Sequence, residues 1–265
     1  MKTRWLQVGM LCAVLAGAGG GAFGANGARS GRGGGRAAAR GEKAGAQQEA
    51  QETLPANVEA MIEKQVPGGT ITGAEEQVDS GRHLYFVKVQ TAGAAGKTET
   101  VLASGRAQYL GIVDASDDDP NDDSTYLEVE TAPAAVRAAI TKALGDAKVN
   151  ALSFEVDSER FFYIAEFEKD GKTHFDTFTL QGDMTEEETD MAVADLPATV
   201  KAAVTKARPN TTIDSASEVV ARKQRSYAVD VTDGGKKFEL MVSAAGAVTG
   251  TDPLDDDGAP AKKGG

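Results

Sequence analysis

The sequence predicts an α+β fold built from three tandem small units, each a helix packed on an antiparallel β-sheet. Three observations point there. Residues match at fixed offsets from three prolines, the apolar spacing inside each match switches from helical to strand period, and a Gly- or Pro-containing breaker stands at the switch.

The matches start at Leu54-Pro55-Ala56, Ala132-Pro133-Ala134 and Leu196-Pro197-Ala198. Three residues after each Pro stand Val58, Val136 and Val200; seven after, Ile62, Ile140 and Val204; nine after, Lys64, Lys142 and Lys206. Sixteen after come Ile71, Val149 and Ile213, and thirty after come Tyr85, Tyr163 and Tyr227. Proline suits the first helical turn, where its missing N–H would be unpaired anyway. Val58, Met61, Ile62 and Val66 then recur at helical spacing, as do Val136, Ala139, Ile140 and Leu144, and Val200, Ala203, Val204 and Ala207. Each helix is short, about three turns, and ends at Pro67-Gly68-Gly69, Gly145-Asp146 or Pro209-Asn210.

Past the breaker the period becomes two: Tyr85-Val87-Val89, Tyr163-Ala165-Phe167 and Tyr227-Val229-Val231 alternate with a more polar set. Turns at Gly96-Lys97, Gly171-Lys172 and Gly235-Lys236 follow, then further alternating strands, clearest in Phe238-Leu240-Val242. Gly105, Gly182 and Gly246 mark the next turn. Each unit thus reads as helix, strand, strand, turn, strand, with room for one short closing strand. The recurring tyrosines belong between helix and sheet with the hydroxyl at the rim. The late lysines complement the helix dipole.

The flanks are of another kind. Residues 1–25 read as a signal peptide: Lys2 and Arg4, an apolar run from Trp5 to Ala18, and small residues near Ala22-Phe23-Gly24-Ala25 as a cleavage site. That run is shorter than the roughly 20 residues of a spanning helix, so no membrane span is expected after cleavage. Cleavage removes Cys12, the single cysteine, and shifts the formal charge from −12 to −14. Gly9 stands where a lipoprotein signal needs Leu, which argues against lipidation. Residues 26–53 are rich in Gly, Ala and Arg (Arg29, Arg32, Arg36, Arg40) and read as a flexible linker. The expected organisation is then a first unit at 54–113, an acidic linker at 114–130, a second unit at 131–184, a third at 195–251 and a disordered tail at 252–265. The second and third are expected to pack together across the short spacer 185–194, and the first to move independently on its linker. Disulfide-free, metal-free units of this size are marginal alone.

The Leu-Pro-Ala-x-Val start, the later Pro-x-x-x-Ile, the Tyr-x-Val-x-Val strand and the Gly-Lys turn resemble the PepSY-like family, itself described as resembling the β-lactamase inhibitor protein fold. The resemblance covers 54–251. It is fullest in 195–251, carries an insertion at 92–95 in the first unit, and in the second has Ala132 for the Leu and Gly145 for the breaker Pro. It implies a secreted or periplasmic module, commonly in tandem and without catalytic activity, whose relatives bind or inhibit other extracytoplasmic proteins. No binding residues of the family match here.

The chemistry-bearing residues are few. With 40 acidic against 28 basic residues, nucleic acid is excluded as a partner of the folded part. His83 and His174 are the two candidate imidazole bases; they fall at non-equivalent offsets, at expected strand edges or turns, and no nucleophile–base pair stands out. Two histidines and no mature cysteine leave no soft-metal set. The run containing Asp117, Asp119, Asp122 and Asp123 offers oxygen ligands for Ca²⁺, but it lacks the alternation and central Gly of an EF-hand loop. No cofactor is expected. The leading reading is a non-catalytic extracytoplasmic module that binds or inhibits an envelope or extracellular protein or peptide. The rival is a structural protein of the envelope, tethered by its basic linker.

Overall fold

In the structure, a computed structural model, residues 54–79, 81–92, 96–115, 125–157 and 160–254 are described. The expected signal peptide, the basic linker, Asp117, Asp119, Asp122, Asp123 and residues 255–265 lie outside them. Three helices and thirteen strands form the described part: α1 (Ala56–Gln65), α2 (Ala134–Leu144), α3 (Ala198–Ala207), and β1 to β13.

The three prolines sit one position earlier than predicted, as caps with extended ψ of 135°, 141° and 142° rather than inside the first turn. Their carbonyls accept the first helical N–H groups, for example Val58 and Val200 at 2.8 and 3.0 Å. One stripe of each helix is buried, Val58 and Ile62, Val136, Ile140 and Leu144, or Val200 and Val204, with Lys64, Lys142 and Lys206 in the last turns.

After α1 come β1 (Thr70–Asp79), β2 (Arg82–Gln90), β3 (Thr98–Ser104) and β4 (Tyr109–Ile112), an antiparallel sheet in sequential order. After α2 come β6 (Val149–Asp157), β7 (Arg160–Lys169), β8 (Lys172–Thr179) and β9 (Met184–Met191); after α3 come β10 (Thr212–Ala221), β11 (Gln224–Asp233), β12 (Lys236–Ser243) and β13 (Val248–Leu254). These eight and the two-residue β5 (Thr125–Tyr126) form one nine-stranded antiparallel sheet, ordered β13 to β5. In the first strand after each helix the register shifts next to the residue sixteen after the proline: Ile71/Gly73, Val149/Ala151 and Ile213/Ser215. Such bulges bend a strand and sharpen its twist, which lets the sheet curl under a short helix.

Four expectations of this organisation change. The sheets number two, not three, because 185–194 is not a spacer: β9 occupies most of it and pairs with β10 from Ala216↔Met191 to Ala221↔Glu186. Its sequence, Met-Thr-Glu-Glu-Glu-Thr-Asp-Met, lacks an apolar face, so periodicity could not reveal it. The acidic linker likewise ends in structure. Thr125–Tyr126 is a strand, Leu127 bridges Val113, and Val129–Thr131 is a 3₁₀ turn. Residues 252–254, expected in the tail, are the end of β13.

Nor does the first segment stand apart. Leu84, Leu102 and Leu110 from the four-stranded sheet share one core with Val136, Ile140, Phe154, Tyr163 and Phe178. Buried Tyr163 donates its hydroxyl to the Leu110 carbonyl at 3.1 Å, so this hydroxyl lies inside a junction and not at a rim. Thr131 Oγ1 accepts the Ile112 N–H at 2.9 Å, and Glu128 N–H donates to the Ile112 carbonyl at 2.9 Å. Leu102 is fully buried on the side of its sheet away from α1, whose own core uses Val87, Val101 and Ala103.

Gly182, in the β8–β9 turn, has φ of +83°, and a Cβ there would lie 2.5 Å from the Ala135 carbonyl oxygen of α2. Only glycine meets both demands.

Two outcomes follow from this junction. Leu102→Ala should cost about 2–5 kcal/mol and Tyr163→Phe about 1 kcal/mol, both read by urea denaturation. Each variant should keep a single cooperative transition, because the first segment, besides its own core, buries Leu84, Leu102 and Leu110 in the core of α2 and the long sheet; two resolved transitions would contradict that coupling.

Candidate functional site

The two helices of the long sheet lie on one side of it. Their partners are Tyr163, Ala165 and Phe167 for α2, and Tyr227, Val229 and Val231 for α3. Strand alternation then assigns the remaining residues to the opposite face, which among the described residues carries no helix. Cross-strand register fixes the set: Phe162 and Ile164 of β7, Thr177 of β8, Glu186 and Glu188 of β9, Ser217 and Val219 of β10, and Ala228 of β11. Phe162, Ile164, Val219 and Ala228 are buried, yet none belongs to any of the three cores.

Carboxylates surround this apolar row. Glu155 stands opposite Phe162, and Glu166 is separated from Glu188 by Phe175 alone. Asp190 pairs with Ser217, and Asp230 with Ser215, whose hydroxyl donates to the Asp230 Oδ2 at 2.6 Å. Ser217, fully buried, donates to Glu188 Oε1, and Glu188 itself is 1% exposed. Within the strands, Arg160 and Lys237 are the basic residues of this face. Low dielectric and mutual repulsion act on the group. Burial, then Glu168 and Asp190, push the Glu166 carboxyl above its ordinary value, and burial does the same to Glu186. The face is therefore a buried apolar row flanked by carboxylates.

Asp176 lies on the other face. It pairs with Ala165 on one side and Glu187 on the other, at 3% exposure, with Oδ1 buried and without a hydrogen-bond partner. Burial, then Glu187, push its pKa up to about 7, with Lys169 opposing. Burying such a group is costly when ionised.

Of the residues singled out in the sequence, neither histidine is at a turn. His83 is inside β2, where its Nδ1 meets Glu76 Oε1, and Tyr85 donates to the same oxygen at 3.0 Å. His174 is inside β8, stacked on Phe167 at 5.1 Å with Thr189 Oγ1 3.1 Å from Nδ1. The two histidines are not brought together, since they stand in different sheets. Among the described residues, no group of three or more His, Cys, Asp or Glu is arranged to hold a metal ion. The helix-free acidic face was missed by sequence reasoning. The signal present was the alternation Glu186, Glu188 and Asp190; Glu155, Glu166 and Asp230 join it only through the cross-strand register.

No family model matches the chain, and no curated protein matches it. Solved structures with partial likeness include a DUF2874 family protein from Bacteroides uniformis, at 22% identity over 46% of this chain and 89% of that one, with a TM-score of 0.40. A BLIP-like protein from Bacteroides fragilis shows 22% identity over 48% and 92%, with a TM-score of 0.38. A protein from Bacteroides eggerthii, provisionally described as periplasmic, shows 20% identity over 46% and 88%, with a TM-score of 0.40. At such identities and TM-scores these likenesses carry no argument here. Among the described residues, no helix is long and apolar enough to cross a membrane.

Asp176 gives a pH dependence whose sign is fixed. Its folded pKa of about 7 exceeds the ordinary value of 3.8, so the folded state holds the proton more tightly than the unfolded state. Stability is full below about pH 4 for this group and falls as pH rises toward 7. Asp176→Asn should therefore raise stability at pH 8 by about 1–3 kcal/mol and flatten the decline between pH 4 and 7, measured by denaturation across pH.

Proposed function

We propose that this chain is an exported, non-catalytic binding module that holds a protein or peptide on the helix-free face of its long sheet. The observation that carries the reading is the buried row Phe162, Ile164, Val219 and Ala228, on a face without helices and edged by Glu166, Glu186 and Asp190. An apolar centre within a charged rim is the usual anatomy of a recognition surface.

The finer parts of the reading rest on the sequence. The chain is three diverged PepSY-like units, supported by the offsets from Pro55, Pro133 and Pro197 and by register shifts at equivalent places. Residues 1–25 direct export and are removed, which leaves the module secreted or periplasmic. Enzymatic action is not part of the reading: the His174–Thr189 contact lies on the helix side of the sheet, where the imidazole stacks on Phe167.

The test is affinity capture from extracytoplasmic extract with three immobilised chains: the natural one, Glu166→Lys/Glu186→Lys, and Glu63→Lys on exposed α1 as a control. A protein retained by the natural chain and the control, and lost from the face variant, is the expected outcome. Identical retention by all three would overturn the assignment of this face.

A further inference from the structure

We infer that the outer edge of β1 is a second recognition site, separate from the helix-free face: residues 74–79 take up an extended, basic strand of another protein in antiparallel register. The contrast between equivalent strands carries this. Residues 74–79, 152–157 and 216–221 stand at the same offsets, nineteen to twenty-four residues after Pro55, Pro133 and Pro197. In two of the three cases a strand from the preceding segment lies along that stretch. β9 pairs with 216–221, and β5 pairs with Ser153 and Phe154, with the Leu127 N–H donating to the Leu152 carbonyl at 2.8 Å. β1 instead ends its sheet, and among the described residues its single strand neighbour is β2.

The local geometry of the two strands also corresponds. β10 begins its ladder with β9 just past its bulge at Ile213/Ser215, and β1 has its own bulge at the equivalent Ile71/Gly73. Six residues of β1 are therefore placed as are the six of β10 that bind β9. Their side chains are accessible: Glu75, Gln77 and Val78 are exposed, Val78 at 60%. Val220, in the place of Val78 on β10 and opposite Glu187, is half-buried. An edge strand that presents an exposed apolar side chain is a template for strand addition.

Charge decides the occupant. Glu75, Glu76 and Asp79 lie within the six residues, with no Lys or Arg among them. Glu75 stands opposite Phe86, so no basic residue of β2 faces it directly. A second copy of the chain fits poorly. Antiparallel pairing of two β1 strands centred on Glu76 sets Glu76 against Glu76, and centring on Gln77 sets Glu75 against Asp79. Like charges directly opposite destabilise a ladder. β13, at one end of the nine-stranded sheet, offers a further negative charge in Asp252 and no N–H at Pro253. A strand with Lys or Arg at alternate positions sets them against Glu75 and Asp79, and its intervening apolar residues come beside Val78.

The experiment uses the purified full chain and, as probe, a fluorescent peptide alternating Lys and Val over about eight residues. The same peptide with every backbone amide N-methylated keeps the charge and loses the donors. The natural chain is compared with E75K/Q77K, both at exposed positions, and with E166K/E186K on the helix-free face. At low salt the natural chain and E166K/E186K should bind the probe alike. E75K/Q77K should bind it at least tenfold more weakly, and the N-methylated peptide should lose about tenfold on the natural chain. Amide exchange of 74–79 should slow on binding. Affinity lost only in E166K/E186K would move the peptide to the helix-free face and overturn the inference. Equal binding of the two peptides would overturn strand addition, leaving attraction by charge alone. No binding of the probe would overturn it too, while the capture experiment still judges the helix-free face. Sedimentation supplies the last outcome: a dimer of the natural chain that slows exchange of 74–79 without peptide would put a second copy on the edge and overturn the choice of partner.

Discussion

The backbone ladder between β9 and β10 is the constraint on which the rest depends. Six residue pairs, Ala216↔Met191 to Ala221↔Glu186, turn two four-stranded sheets into one continuous surface. An antiparallel ladder satisfies the N–H and C=O groups of two strands that would otherwise be exposed edges. It thereby fixes α2 and α3 on a common side, and it leaves a continuous opposite face that carries no helix among the described residues. The same ladder drags the side chains of β9 into place. Because side chains alternate strictly, pairing that buries the backbone of 186–191 also delivers Glu186, Glu188 and Asp190 to the helix-free face and Glu187 to the other.

The consequences are electrostatic. A strand with this sequence would not be chosen for packing, and its cost is visible in the raised carboxyl groups of Glu166 and Glu186 and in Asp176 beside Glu187. Ser217 offsets part of that cost by donating to Glu188. Residues that carry such a cost are candidates for function, as perturbed ionisable groups cluster at sites of recognition and catalysis. The four-stranded sheet presents the contrast. Its outward Leu84, Leu102 and Leu110 are covered by the neighbouring core.

Helices and the central strands were legible in the sequence because they follow local rules. Proline, a 3.6-residue stripe ending at Val66, Leu144 or Ala207, and a Tyr-x-Val-like alternation each carry their own signal. What was not legible is whatever depends on a partner strand. β9 has no apolar alternation, β5 has two residues, and the end of β13 contains Pro253; each is a strand because a neighbour supplies the hydrogen bonds. Tyr163 shows the same limit at one residue. Its position matches Tyr85 and Tyr227, but its hydroxyl reaches Leu110 because the four-stranded sheet is there to receive it. The acidic face was hidden for this reason, since its carboxylates come from four strands, β6, β7, β9 and β11, and meet only after register is known.

The most direct measurement is native-state hydrogen exchange along β9 and β10. If their ladder unifies the sheet, the amides of 186–191 and 216–221 exchange only through global unfolding, with the same opening free energy as those of β7 and β11. Amides of β9 that open independently, orders of magnitude faster than those of β7 and β11, would contradict a continuous face and the recognition surface built on it.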